Sequence, residues 1–181
     1  MRQYWIAPLP PFHIADGTAY TGTAALGDIS PAPPIVIPAN TLETASRLEI
    51  NFFGKYTSTA TQGTVTVGCY IGPTATAIGS VSVLAVSATL TPVASQTNRT
   101  FRIEGNASVR SHGTAGTIIG SLEITNISGA SPLSDTTIAP YSAPAAVAID
   151  TTVANSVRIG VTPSVTTGSW TGVYLGVRLV N

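Results

Sequence analysis

The sequence predicts an all-β fold, an antiparallel β-sandwich with jelly-roll-like connections, about eight strands and an extended N-terminal arm. Apolar and polar residues alternate with the period of two that is typical of half-buried strands. Thr, Ser, Val, Ala, Ile and Gly are abundant, whereas Glu, Lys and Met are scarce. Seventeen glycines and thirteen prolines supply turns between the strands. An immunoglobulin-like sandwich is the rival topology, although the chain lacks the Cys-Trp-Cys arrangement of antibody domains.

Residues 1–34 are predicted to form the extended arm, and residues 35–181 the sandwich domain. Prolines bracket a polar stretch in the arm, and proline lacks an amide hydrogen and favours extended backbone. Trp5, Ile6 and Phe12 are poor choices for a free tail, so they either dock on their own domain or anchor on a neighbouring subunit. Deletion of the arm is therefore expected to leave a folded domain.

The first strands of the domain follow from the same alternation. Residues 47–56 are predicted to form a strand with an apolar face and a mostly polar face. The apolar face comprises Leu48, Ile50 and Phe52, and the other face comprises Glu49, Asn51 and Phe53. Residues 65–71 form the next strand, and Cys69 lies in its apolar phase, so a buried thiol is expected. In residues 80–90 the apolar phase slips by one position, which predicts a β-bulge.

The longest alternating pattern predicts a hairpin formed by residues 99–111 and 117–125 around a glycine-rich turn. One face of the first strand supplies the core, with Phe101, Ile103, Ala107 and Val109. The other face meets water or a neighbour, with Arg102, Glu104, Asn106, Ser108 and Arg110. The second strand repeats the pattern, because Leu122 and Ile124 flank Glu123.

The C-terminal part begins with a Pro- and Ser-rich surface connection at residues 129–146 and a short strand at residues 147–150. Residues 156–162 and 173–180 then complete the sandwich with two further strands. The chain shows no internal repeat, which argues against propellers and solenoids.

Charge is sparse and balanced. Only 9% of the residues are charged, against roughly 25% in average soluble domains, and eight basic residues balance eight acidic ones. This low density indicates that partner chains cover much of the outer surface, and a monomer coated with hydroxyls is the alternative. Without a basic cluster the chain is not expected to bind nucleic acid. The single cysteine excludes an internal disulfide and a cysteine-based metal site.

Prolines interrupt the N-terminal residues before any apolar run reaches the length of a signal peptide. No segment approaches the apolar length of a transmembrane helix. We therefore expect synthesis in the cytoplasm, no export by a conventional signal and no membrane partner.

No arrangement of residues indicates catalysis, so neither an enzyme nor a bound metal or cofactor is expected. The two histidines, His13 in the arm and His112 in the hairpin turn, lie near no Gly-x-Ser-x-Gly motif and are too few for a zinc site. Glu104 and Glu123 could form the acid/base pair of a glycosidase, but neighbouring arginines make cross-strand ion pairs the simpler interpretation. The four aspartates are scattered without the spacing of a calcium loop.

Six short segments stand out beside this general pattern. They are residues 37–42, 47–56, 70–72, 109–117, 156–161 and 173–180. Together they resemble the small jelly-roll virion proteins of tailed bacteriophages, over about residues 35–181. Such proteins decorate capsids as cement or head-spike trimers, or form the heads and tips of fibres. The chain has no long shaft or coiled-coil segment, which favours a decoration protein.

The resemblance implies a structural virion protein that is made in the host bacterial cytoplasm and binds the major capsid protein lattice at the capsid surface as a homotrimer. Contacts with the capsid or with subunits are assigned to Trp5, Ile6, Phe12, Arg102, Glu104, Arg110 and His112.

The alternative function is that of a receptor-binding head or tip domain of a fibre or tail protein. Flat aromatic rings complement the apolar faces of sugars, and the candidate platform comprises Tyr141, Trp170 and Tyr174. Burial of these rings in the sandwich or in an interface is the competing interpretation.

Overall fold

The computed structural model describes residues 16–22, 24–61, 63–127, 145–166 and 168–180, together with the backbone of residues 3–5 and 136–139. Two antiparallel sheets pack against each other, so the predicted all-β sandwich is confirmed. The described residues contain one helical turn, a 3₁₀ helix at Ile78–Ser80.

Twelve strands build the two sheets within the described residues. They are β1 (Gln3–Trp5), β2 (Gly27–Asp28), β3 (Val36–Ile37), β4 (Arg47–Ser58), β5 (Val65–Pro73), β6 (Ser82–Val86), β7 (Arg99–Ser111), β8 (Gly116–Thr125), β9 (Thr136–Ala139), β10 (Val147–Ile149), β11 (Asn155–Pro163) and β12 (Gly168–Val180). The long strands coincide with the segments that the alternation predicts. Strand β9 falls in the segment where the sequence predicts a surface connection.

The larger sheet has the order β1-β12-β4-β7-β8-β10, with β9 also paired to β8. The smaller sheet has the order β2-β11-β5-β6, with β3 also paired to β11. The first long strand, β4, pairs with the last, β12, and the second, β5, pairs with the next-to-last, β11. In this nested pairing, an inner pair of strands lies between the two strands of an outer pair along the chain. A jelly roll has the same arrangement, so the connections are jelly-roll-like. The hairpin of β7 and β8 extends the larger sheet beyond β4.

The core lies between the sheets and follows the predicted phase. Ile50 and Phe52 of β4 and Ile103 of β7 point inward from the larger sheet and are fully buried. Val67 of β5 and Ile159 of β11 meet them from the smaller sheet and are buried to the same degree. Burial of one such side chain contributes about 1.5–3 kcal/mol relative to exposure. The period-two pattern therefore decides which face of each sheet becomes the core.

The predicted β-bulge in residues 80–90 is confirmed. Cys69 of β5 lies opposite Ala85, whereas the next residue, Tyr70, lies opposite Val83, so Leu84 is the extra residue of β6. Leu84 and Ala85 are consequently both buried, although they are consecutive in the strand. Cys69 is fully buried, as its phase predicts.

Residues 16–34, which the sequence assigns to the arm, pack on the sandwich. The Gly17 amide donates to the Gly172 carbonyl at 2.8 Å, and Tyr20 forms an antiparallel bridge with Trp170 at the same edge of β12. Ile29 is completely buried, and its amide donates to the Ile159 carbonyl at 3.0 Å. The compact part of the chain therefore begins before residue 35, because it draws core contacts from this segment.

The three arm residues assigned to partner contacts are placed only in part. Trp5 belongs to β1, whose backbone pairs with the outer edge of β12 opposite Arg178. Ile6 and Phe12 lie outside the described residues, as does His13. Residues 3–5 of the arm thus form an edge strand of the larger sheet.

Candidate functional site

The most distinctive surface is the outward face of β4, β7, β8 and β12, which we call the outer face. Its strand register sets side chains in rows across the sheet. One row, here called the aromatic row, runs Tyr174, Phe53, Arg102 and Thr125 from β12 to β8. The adjacent row, here called the carboxylate row, runs Gly176, Asn51, Glu104 and Glu123. Neighbouring side chains in a row lie close enough to act together on one ligand.

Two large apolar rings lie open on the aromatic row. Phe53 is 39% exposed and Tyr174 is 42% exposed. They are the only large apolar side chains exposed to this extent on the outer face, within the described residues. A shallow groove of about 480 Å³ runs beside them and is also lined by Asn51, Arg102 and Thr125. Exposed aromatic rings beside polar groups are typical of a binding surface rather than of a solvated face.

A β-bulge decides which aromatic residue of β12 reaches this surface. Gly172 lies opposite Gly54 and Tyr174 opposite Phe53, so Val173 is an extra residue in β12. In an unbroken strand, Trp170 and Tyr174 would share one face, because they are four residues apart. The bulge reverses the phase, so Trp170 points into the core and Tyr174 points to solvent.

The predicted sugar platform therefore needs correction. Trp170 is only 5% exposed, stacks on Tyr56 with ring centroids 4.8 Å apart, and meets the edge of Phe101 at 5.7 Å. It is a core residue and cannot offer a ring face to a ligand. Tyr141 lies outside the described residues. The exposed aromatic neighbour of Tyr174 is instead Phe53, which the sequence pattern already places among the outward residues of β4.

The carboxylate row places two acidic side chains directly opposite each other. Glu104 of β7 and Glu123 of β8 are Cα partners, and like charges in this position repel. Arg102 forms an ion pair with Glu104 along the same strand, whereas the sequence analysis expects the pair across strands. Both carboxylates are exposed to solvent, and they line a shallow, open groove of about 260 Å³ on the sheet face. The geometry favours charge balance on a surface over acid/base chemistry, which works best where water is excluded.

The other two predicted contact residues lie at the far end of the hairpin. Arg110 is exposed, and no described carboxylate lies within 4 Å of it. His112 occupies the turn, where its Nδ1 lies 2.9 Å from the Thr44 hydroxyl. A second shallow groove of about 340 Å³ adjoins this histidine. The structure thus brings Arg102 and Glu104 together but leaves Arg110 and His112 apart from them.

Cys69 lies in the core, far from this surface chemistry. Burial raises the pKa of its thiol from 9.0 to about 12, and the Tyr70 backbone hydrogen bond opposes this only in part. The same burial, with a smaller contribution from Cys69, raises the pKa of the Tyr70 hydroxyl. A buried, protonated thiol is a poor nucleophile, so Cys69 serves packing rather than reactivity.

We expect a thiol-specific disulfide reagent at pH 8 to label Cys69 at least about 100-fold more slowly in the native protein than in denaturant. Labelling is measured by absorbance, and a Cys69→Ala variant supplies the background because the chain has one cysteine. Comparable rates in both states would contradict the burial. Since the unfolded thiol ionises at 9.0 and the folded one at about 12, this group also destabilises the fold as pH rises above 9.

The described parts of the chain contain no group of three or more His, Cys, Asp or Glu side chains that could hold a metal ion. They also contain no helix with the length and apolar character needed to cross a membrane.

Neither a scan against models of known protein families nor a search of the curated proteins returns a match for this chain. The functional assignment therefore draws on the residues and the geometry described above.

Proposed function

We propose that this chain is a structural virion protein of a tailed bacteriophage, a capsid decoration protein that binds the major capsid protein lattice and associates with copies of itself as a homotrimer. In this proposal the chain stabilises the capsid through contacts with neighbouring proteins and catalyses no reaction. The support comes from its surface charge, from its extended N-terminal segment and from the resemblance of its strands and turns to such proteins.

The observation that carries the proposal is the local neutralisation of an already sparse surface charge. Charged residues make up 9% of the sequence. Half of the sixteen charged side chains take part in ion pairs within the described residues: Lys55–Asp16, Arg102–Glu104, Arg158–Asp28 and Arg178–Glu49. Protein interfaces are depleted of unpaired charge, because an uncompensated charge is costly to remove from water. A protein surface with few charges, half of which are paired, suits permanent contact with neighbouring proteins.

The N-terminal segment supports a linking role. Strand β1 and residues 17–20 both pair with the outer edge of β12, at Arg178 and at Gly172 to Trp170 respectively. Strand β1 and residues 17–20 therefore cover two parts of a sheet edge that would otherwise invite uncontrolled pairing. In the proposal, the residues between these two paired segments, among them Ile6 and Phe12, contact a neighbouring protein of the capsid, so that the load on one subunit is shared with the next.

The test is a truncation that removes residues 1–15 and leaves the packed segment from Asp16 onward. We expect the truncated protein to stay folded, because the described core contacts of the N-terminal region begin after residue 15. We also expect its affinity for capsids assembled without this protein to fall at least tenfold, measured by cosedimentation. The full-length chain is the control.

Two results would count against the proposal in different ways. Undiminished capsid binding by the truncated chain would rule out the linking role of residues 1–15. Absence of capsid binding by the full-length chain would rule out decoration itself.

A further inference from the structure

We propose that the aromatic row of the outer face binds a neutral oligosaccharide, with Tyr174 and Phe53 stacking on sugar rings and Asn51 bonding to their hydroxyls. This site does not depend on where the chain sits in a virion, so it stands or falls separately from capsid decoration.

The first step is the orientation of Tyr174. A Cβ atom at Gly176 would lie 2.4 Å from the Tyr174 hydroxyl oxygen and 3.0 Å from Cζ. The tyrosine ring therefore leans along β12 and occupies the space above Gly176, which only a residue without a side chain leaves open. A ring held along the sheet in this way offers a face to solvent. Sugar rings pack their C–H faces on such aromatic faces.

The second step is the polar group beside the rings. Asn51 lies opposite Gly176 and two residues before Phe53 on the same face of β4, and it lines one groove together with both aromatic side chains. Its side chain is exposed and makes no hydrogen bond to another described residue. An asparagine amide offers two donors and one acceptor, which matches two neighbouring hydroxyls of a sugar. Thr125 adds a hydroxyl at the other end of the aromatic row.

The third step is the charge, which selects a neutral ligand. Arg102 is neutralised by Glu104, and Glu123 adds a further negative charge beside them. Lys55, the nearest other cation on β4, forms an ion pair with Asp16 at 2.6 Å. Among the described side chains of the aromatic and carboxylate rows, two carboxylates stand against one arginine, so an anionic sugar or a phosphate would meet more negative than positive charge there. Uncharged hexose or N-acetylhexosamine units avoid this repulsion.

The fourth step is the size of the surface. The aromatic row crosses three strand spacings, about 14 Å, which accommodates more than one sugar ring. The groove of about 480 Å³ is in the range of small-ligand sites. A stable protein partner would need roughly 800 Å² on each side with a desolvated apolar centre, whereas only Phe53 and Tyr174 supply large apolar contact here. The features favour a glycan over a protein.

The experiment uses the full-length protein and titration calorimetry with neutral glucose, galactose and N-acetylglucosamine oligosaccharides, beside sialylated and sulfated counterparts. We expect a dissociation constant of about 1 mM or lower for at least one neutral oligosaccharide. Tyr174→Ala and Asn51→Ala should each weaken binding at least tenfold, whereas Tyr174→Phe should retain it because the ring remains. Val83→Ala is the matched control, since Val83 is an equally exposed apolar residue on the smaller sheet.

Three outcomes would contradict the proposed sugar site. These outcomes are no binding to any neutral oligosaccharide, stronger binding to the acidic ones, or unchanged binding by Tyr174→Ala with its fold intact. A change of oligomeric state in Tyr174→Ala, without glycan binding by the parent protein, would identify the aromatic row as a protein contact. Because no capsid is present, failure here leaves the decoration proposal intact.

Discussion

Replacement of Trp170 by alanine is expected to lower the free energy of unfolding by about 3–5 kcal/mol, the usual cost of emptying a large aromatic site in a core. The indole stacks on Tyr56 at 4.8 Å and contacts the edge of Phe101 at 5.7 Å, while Phe101 also packs on Phe52. These neighbours lie on strands of the same sheet and cannot close the space without moving their backbones. Urea denaturation followed by fluorescence or circular dichroism measures the loss.

The matched control for this prediction is Tyr174→Ala. Both residues are aromatic and belong to β12, but Tyr174 points to solvent. Its replacement should change stability by less than about 1 kcal/mol. Equal losses for the two variants would contradict the bulge that places them on opposite faces. Because Trp170→Ala destabilises the fold, a loss of sugar binding in this variant would not identify Trp170 as a sugar contact.

Deletion of residues 1–34 is expected to abolish cooperative folding or to destabilise the protein by more than about 4 kcal/mol, in contrast to the independent domain that the sequence suggests. The deletion removes the fully buried Ile29 and the whole of β2. It also removes Ser30, whose hydroxyl accepts a hydrogen bond from the Ile159 amide at 2.9 Å. Strand β11 would lose β2, which pairs with Gly160 and Val161, and on that side would keep only β3 at Asn155 and Ser156, so part of the core would be exposed.

Circular dichroism and thermal unfolding measure this outcome, and the chain that lacks only residues 1–15 is the reference. The reference should unfold within a few degrees of the full-length protein. An equally stable chain starting at residue 35 would show that the contacts of Ile29 and Ser30 contribute little. The comparison also separates the folding role of residues 16–34 from any capsid-binding role of residues 1–15.

The sequence alone determined the fold class and the faces of the long strands. Leu48, Ile50 and Phe52 point inward and Glu49, Asn51 and Phe53 point outward because successive side chains of a strand alternate. This property is local, so the order of residues suffices to predict it. The phase slip near Leu84 was readable for the same reason, since a bulge leaves two consecutive apolar residues facing the core.

Only the tertiary structure decided which of these residues meet. The bulge at Val173 is silent in the sequence, because Trp170 and Tyr174 are both plausible in either phase, and it sends one ring inward and the other outward. Phe53 lies beside Tyr174 because β4 pairs with β12. More than a hundred residues of the chain separate these two strands. Pairing between such distant segments depends on competing long-range contacts and on the closure of the whole sandwich, which no local pattern of residues specifies.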